Sequence, residues 1–196
     1  MEIASIISTE SSDVVKVAGV IVCLDVAYGD QEVITACVGF SNWPASDPSY
    51  ERATRRFGEP PAYKAGELYR RELPYLLDAI AALNAAPSLI IVDGYVWLAR
   101  GVPGLGAKLY AELGGRIPVV GIAKRSFRGN DVAMPVYRST SKQPLFVTTT
   151  ESNLLAVAAN VTRMHGDHRV PTLLRRVDQL TRGIQTGGQP GIDRVS

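Results

Sequence analysis

Apolar residues fall along this chain in two rhythms. Residues 14–25 (VVKVAGVIVCLD) are β-branched and almost continuously apolar, the pattern of a central strand covered on both faces. A turn signal at Tyr28-Gly29-Asp30 separates them from residues 32–40 (EVITACVGF), a second strand close enough to pair with the first as a hairpin. Residues 50–57 (YERATRRF) fit either a third strand or a basic irregular segment, and Glu59-Pro60-Pro61 breaks the chain. From 65 to 85 the rhythm becomes helical: Leu68, Leu76, Ile80 and Leu83 share one spacing, as do Leu73 and Leu77. Pro74 lies inside this stretch, so the helix is expected to start late, kink or break there. Residues 88–93 (SLIIVD) and 117–123 (IPVVGIA) read as short buried strands, with a glycine-rich turn and a helix between them at 102–113. Two shorter strands, at 136–139 and 144–148, precede two closing helices at 151–164 and 171–180. A hairpin followed by alternating helices and buried strands predicts an α/β fold with a mixed sheet, antiparallel at its beginning and parallel later.

Composition narrows the class. With 196 residues, 46% hydrophobic and 20% charged, the chain has the profile of one ordinary globular domain. It has no internal repeat and no linker, and residues 183–196, rich in Gly, Gln and polar residues, are expected to form a flexible C-terminal tail. The start lacks the basic segment and long apolar core of a signal peptide, and no apolar run is long enough to cross a bilayer. Cys23 and Cys37 lie in apolar strands and read as buried free thiols, which suits a reducing cytoplasm. No cysteine or histidine spacing suggests zinc, and His165 and His168 read as surface residues. A net charge of +2 does not announce a nucleic-acid binder. Basic residues do cluster, as Arg52, Arg55 and Arg56, as Arg70 and Arg71, as Lys124, Arg125 and Arg128, and as Arg163, Arg169, Arg175 and Arg176. These fit a phosphate-tracking face or plain solvated surface.

Three acids stand where acids are costly. Asp25 ends the first apolar strand on the face of Ile21 and Cys23, and Asp93 ends SLIIVD on the face of Leu89 and Ile91. Glu72 is four residues from both Leu68 and Leu76, so on a continuous helix it projects from the apolar side. A carboxylate at such a place is desolvated unless something positive compensates. Singly, each is explained by a cap, a turn amide or an arginine such as Arg71. Together they favour a shared hard divalent cation, which can activate water and stabilise a leaving oxygen in phosphodiester cleavage.

The segment AYKAGELYRRELP (62–74) resembles a characteristic segment of the endonuclease V family, aligning Tyr63, Gly66, Leu68, Arg71 and Glu72. VAGVIVCLDVAY (17–28), LIIVDGYVWLARGVPGLGAKL (89–109), IPVVGIAK (117–124), PLFVTTT and HRVPTLLRRVDQLTR resemble further family segments in the same order, over about residues 17–182. The resemblance implies an RNase H-like mixed sheet and a single nuclease domain over residues 1–182. It implies cleavage of a DNA strand, with RNA also open, at the second phosphodiester on the 3′ side of deoxyinosine or inosine, as in DNA repair. Asp25, Glu72 and Asp93 would hold Mg²⁺ or Mn²⁺ and Lys124 would neutralise phosphate charge. Tyr63 would wedge into the gap beside the lesion, with Gly66, Arg71 and Gly94 also at the nucleic acid. No obligate protein partner is implied. Two departures stand out: Ala99 occupies a place near which many members carry histidine, and VTTTES (147–152) lacks a later one. Glu151 is a candidate replacement, or else it starts and caps the next helix with its neighbours. Tyr95 and Trp97 border a base pocket or are core aromatics, and GVPGLG (101–106) meets phosphate or is simply a tight turn. Two other functions remain in play: a lesion-binding module with weak or no cleavage, and a nuclease for structured nucleic acid.

Overall fold

The computed structural model describes residues 19–58, 68–84, 86–183 and 192–195; Tyr63 and Gly66, and the first eighteen residues, lie outside them. In chain order the elements are β1 (Ile21–Tyr28), β2 (Glu32–Phe40), β3 (Tyr50–Phe57), α1 (Leu68–Ala81), β4 (Leu89–Val92), β5 (Trp97–Ala99), β6 (Val102–Pro103), α2 (Leu105–Glu112), β7 (Val119–Ala123), β8 (Met134–Val136), β9 (Leu145–Thr149), α3 (Leu154–Arg163), α4 (Thr172–Thr181) and β10 (Ile192–Val195).

One eight-stranded sheet runs β10-β3-β2-β1-β4-β7-β9-β8, and β5 and β6 form a small separate ribbon. β1, β2 and β3 pair antiparallel, as the hairpin signal predicts. β1, β4 and β7 are parallel neighbours. The later hairpin then turns antiparallel again through β9 and β8, so the parallel part is central and not terminal. Residues 50–57 are a strand. The stretch expected as a loose tail contributes β10, which lies parallel to β3 at the sheet edge.

The continuous apolar runs are explained by cover on both faces. Ile21, Cys23, Leu89, Ile91, Val120 and Ile122 face a core shared with Val157 and Val161 of α3 and Leu173 and Val177 of α4. Val22, Leu24, Ile90, Val92 and Val119 face the other core, with Leu76 of α1 and Leu109 of α2. Each such fully buried side chain stabilises the fold by roughly 1.5–3 kcal/mol relative to exposure. Cys23 and Cys37 are buried free thiols that belong to these opposite cores.

α1 runs through Pro74 without stopping. That residue is exposed, so water can reach the backbone carbonyl that loses its N–H partner. The glycine-rich turn before α2 serves close packing: a Cβ on Gly104 would stand 2.5 Å from the Tyr95 carbonyl oxygen, and one on Gly106 2.7 Å from Val96 Cγ2. α3 is capped by Asn153, whose side-chain oxygen accepts from the Ala156 N–H at 3.0 Å. No helix among the described residues is long and apolar enough to cross a membrane.

Candidate active site

Parallel pairing brings the key side chains to one end of the sheet. Leu24 of β1 pairs with Val92 of β4, and Val92 with Gly121 of β7. The residues that follow therefore emerge side by side: Asp25, Asp93 and, slightly farther on, Lys124. β1 does not end at Asp25 as its apolar run suggests; it continues to Tyr28, paired with β2 throughout. Asp25 still shares the side of Ile21 and Cys23, because side chains alternate along a strand. That side is closed by α4, whose Thr181 hydroxyl donates to Asp25 Oδ2 at 3.2 Å. Asp25, Asp93, Lys124 and Asp178 line one pocket whose floor is Cys23, Ile91, Ile122, Leu145 and Val177.

Charge in this pocket is unbalanced. Lys124 Nζ donates to Asp93 Oδ2 at 2.7 Å and lies 3.7 Å from Asp178 Oδ1. Burial pulls the ammonium's pKa down, but the hydrogen bond and charge of Asp93, with Asp178 and Asp25 behind it, raise it on balance. Burial also raises Asp25, and the Asp93 and Asp178 charges add to it against Lys124 and Thr181. Glu72, on α1, is pushed up to about 7, first by burial and then by the charges of Asp25 and Asp93, with Arg71 opposing. Electrostatically the three acids form one cluster holding more negative charge than Lys124 cancels.

Such a donor set has the chemistry of a hard divalent cation site: carboxylate oxygens, partly desolvated, repelling one another. As they stand, no three His, Cys, Asp or Glu side chains among the described residues are arranged to hold a metal ion. The residues fit the cation by chemistry and charge, while the ammonium of Lys124 supplies the countercharge to Asp93.

The other expected residues divide. Arg71 stacks on the Tyr28 ring, with Cζ 3.8 Å from its centroid, beside Glu72 in sequence. Gly94 has φ +142°, a conformation that suits glycine in the turn directly after Asp93. Glu151 is not brought to the acids. β9 runs antiparallel to β7, and the Thr150 N–H bonds to the Val119 carbonyl, at the opposite end of β7 from Lys124. Five strand residues, roughly 16 Å, separate those ends. Glu151 lines an open depression with Tyr110, Pro118 and Asn153 instead. Tyr95 and Trp97 have structural partners, the Tyr95 hydroxyl donating to the Arg125 carbonyl at 2.7 Å and Trp97 Nε1 to the Thr149 carbonyl at 3.0 Å.

The basic clusters are largely committed to internal contacts. Arg56 pairs with Asp78 at 2.7 Å, Arg55 with Glu32 at 3.3 Å, and Arg176 with Glu51 through two bonds at 2.6 and 2.7 Å. Arg125 and Arg128, by contrast, are exposed in the loop directly after Lys124.

Asp178 is the residue that sequence reasoning missed. On α4 it precedes Thr181 by almost one turn, so both project toward Asp25 and Lys124. A signal was present, an acid within RRVDQLTR one place after the core-facing Val177. Its relation to Asp25 spans most of the chain, so only the fold reveals it.

A mixed sheet with parallel strands at its centre, Asp25 within one and Asp93 just after the next, and helices on both faces, is an RNase H-like architecture. The family model for Endonuclease V matches residues 2–179. The chain therefore belongs to the Endonuclease V family, a family of nucleases. An Endonuclease V from Streptomyces avermitilis is 28% identical over 181 residues, covering 81% of this chain and 77% of that protein. The Streptomyces coelicolor Endonuclease V is 29% identical over 181 residues, covering 81% and 76%. The crystal structure of the Streptomyces avermitilis protein aligns with TM-score 0.71 at 27% identity, over 85% of this chain and 81% of that one. Ciona intestinalis Endonuclease V, solved with a DNA containing an inosine followed by a ribo-adenosine, aligns with TM-score 0.68 at 16% identity over 84% of each chain, a likeness of fold.

Proposed function

We propose that this chain is a divalent-metal-dependent endonuclease that hydrolyses a phosphodiester on the 3′ side of deoxyinosine or inosine, acting in DNA repair in the cytoplasm. The observation that carries this reading is the meeting of Asp25, Asp93 and Lys124 at one end of the sheet, with Glu72 electrostatically coupled and Asp178 facing them from α4. Asp25, Glu72 and Asp93 would hold Mg²⁺ or Mn²⁺, with Asp178 beside them. When bound, such a cation would supply water activation and charge stabilisation at the leaving oxygen.

The chain's own groups do the rest. Lys124, partly exposed and bonded to Asp93, would turn its ammonium toward a scissile phosphate, a point charge suited to that role. Thr181 Oγ1, 2.8 Å from the Asp178 carbonyl and 3.2 Å from Asp25 Oδ2, shares its one proton between them and leaves the second Asp25 oxygen for other partners. Arg125 and Arg128 extend positive charge outward along the strand's path. Arg71 and Gly94, next to Glu72 and Asp93 in sequence, would meet the nucleic acid; the family resemblance gives Tyr63 and Gly66, outside the described residues, a role at the lesion.

A cleavage panel tests this reading: inosine-containing and control DNA and RNA strands, each with Mg²⁺, Mn²⁺ or EDTA. Nicking is expected only with the metals and only beside inosine. Lesion-selective retardation in a gel without nicking in any metal would replace the enzyme with a binding module. Preference for branched over inosine substrates would replace it with a nuclease for structured nucleic acid.

A further inference from the structure

Among the described residues, Arg138 is a heavily bonded side chain that the proposed chemistry does not use. It stands two residues beyond β8 and is 4% exposed. Among the described residues, its guanidinium donates to main-chain carbonyls. Nε reaches Thr162 at 3.5 Å, Nη1 reaches His168 at 2.8 Å and Arg169 at 3.4 Å, and Nη2 reaches Gly166 at 3.0 Å and Met164. All five acceptors lie in the end of α3 or in the connection to α4. A planar five-donor fork can serve such a ring of acceptors, whereas an ammonium offers three donors from one point.

That connection is also the backbone from which the site is hung. Arg169 Nη1 donates to the carbonyl of Lys124 at 3.3 Å and to Gln143 Oε1 at 3.1 Å. Val170 and Leu174 line the acidic pocket, and α4 then delivers Asp178 and Thr181 to Lys124 and Asp25. Two short paths lead from the carbonyls held by Arg138 to the pocket, one by the hydrogen bond from Arg169 to the Lys124 carbonyl and one along the chain into α4.

We propose that Arg138 is a positioning residue for the hydrolytic site: by clamping the α3–α4 connection it sets where Arg169 holds Lys124 and where α4 places Asp178 and Thr181. This inference rests on the nuclease reading above. A side chain that only adds global stability would leave the folded variant's chemistry alone. A positioning clamp alters the chemical step while substrate binding persists, because displacements near 1 Å can cost about a hundredfold in rate.

The test uses the full chain with Arg138→Lys and Arg138→Gln, well below their unfolding midpoints. Substrate Kd is expected within about twofold of wild type, with the single-turnover cleavage rate about tenfold to a hundredfold lower. In an Asp178→Asn background the same substitutions should have a much smaller effect, since coupled residues are non-additive. Amides of 164–181 should exchange faster with solvent and those of α1 should not. A wild-type rate in the folded variants, or full additivity with Asp178→Asn, overturns the proposal. If neither variant folds, Arg169→Met, which cuts only the arm to Lys124 and Gln143, should lower the rate at unchanged Kd; an unchanged rate overturns the proposal equally. Wild-type protein that cleaves nothing refutes the nuclease reading, and the exchange comparison then decides the clamp by itself: equal protection of 164–181 in wild type and Arg138→Lys overturns it.

Discussion

Glu72 is expected to make this protein less stable as pH rises, and Glu72→Gln should remove that penalty. Burial and the charges of Asp25 and Asp93 raise its pKa from the ordinary 4.5 to about 7. The folded state thus holds the proton more tightly than the unfolded chain. The contribution to stability is fully present below pH 4.5 and is lost as pH rises through about 7. At roughly 1.4 kcal/mol per pH unit, that interval corresponds to about 3 kcal/mol at most between pH 4.5 and pH 8. Glutamine approximates the protonated acid, so without divalent metal the two proteins should be equally stable near pH 4.5. By pH 8 the variant should be the more stable by up to about that amount. Urea unfolding at pH 4.5, 6 and 8 in EDTA measures the difference. Saturating Mg²⁺ should then narrow or reverse it, because a ligand at a hundred times its Kd stabilises the native state by about 2.7 kcal/mol. A difference that does not change with pH would refute the reasoning, since it would mean that Glu72 is neither desolvated nor repelled by the two aspartates.

Three other outcomes follow from the geometry. Asp93→Asn should abolish metal-dependent nicking while leaving the circular dichroism spectrum unchanged, because Asp93 lies beyond the last buried residue of β4 and the partly exposed Lys124 keeps Asp178 nearby. Gly121→Ala should destabilise by roughly 2–5 kcal/mol in urea and depress cleavage. Its Cβ would stand 2.6 Å from the Gly94 carbonyl oxygen and 2.7 Å from the Val96 nitrogen, which now donates to Thr148 Oγ1, so the turn after Asp93 must move. Glu51→Ala should lower stability by about 1.5–3 kcal/mol, since it removes the carboxylate that takes two bonds from the Arg176 guanidinium, whose side chain is 10% exposed; unfolding midpoints within error of wild type would contradict this.

Much of the fold was legible in the residues. The continuous apolar runs of β1, β4 and β7 required cover on both faces, and the helical spacing of Leu73, Leu76, Leu77 and Ile80 marked α1. The turn at Tyr28-Gly29-Asp30 announced the hairpin. Less legible were the features set by long-range pairing. β10 is only four residues (IDRV), too short to carry a pattern of its own, and its strand state comes from the open edge of β3. Glu151 follows a strand much as Asp93 does, but β9 runs the other way, so it leaves from the opposite end of the sheet.

The opposite fates of Asp93 and Glu151 show the division. Local sequence determined which residues form strands, where two acids leave the apolar runs, and that an acid lies on the inner side of α1, because burial and periodicity are properties of neighbouring residues. Tertiary structure alone decided which acids meet. Strand direction selected Asp25, Asp93 and Lys124, and the docking of α4 added Asp178 and Thr181 from the far end of the chain. Electrostatic coupling falls steeply with distance through space and takes no account of separation along the sequence.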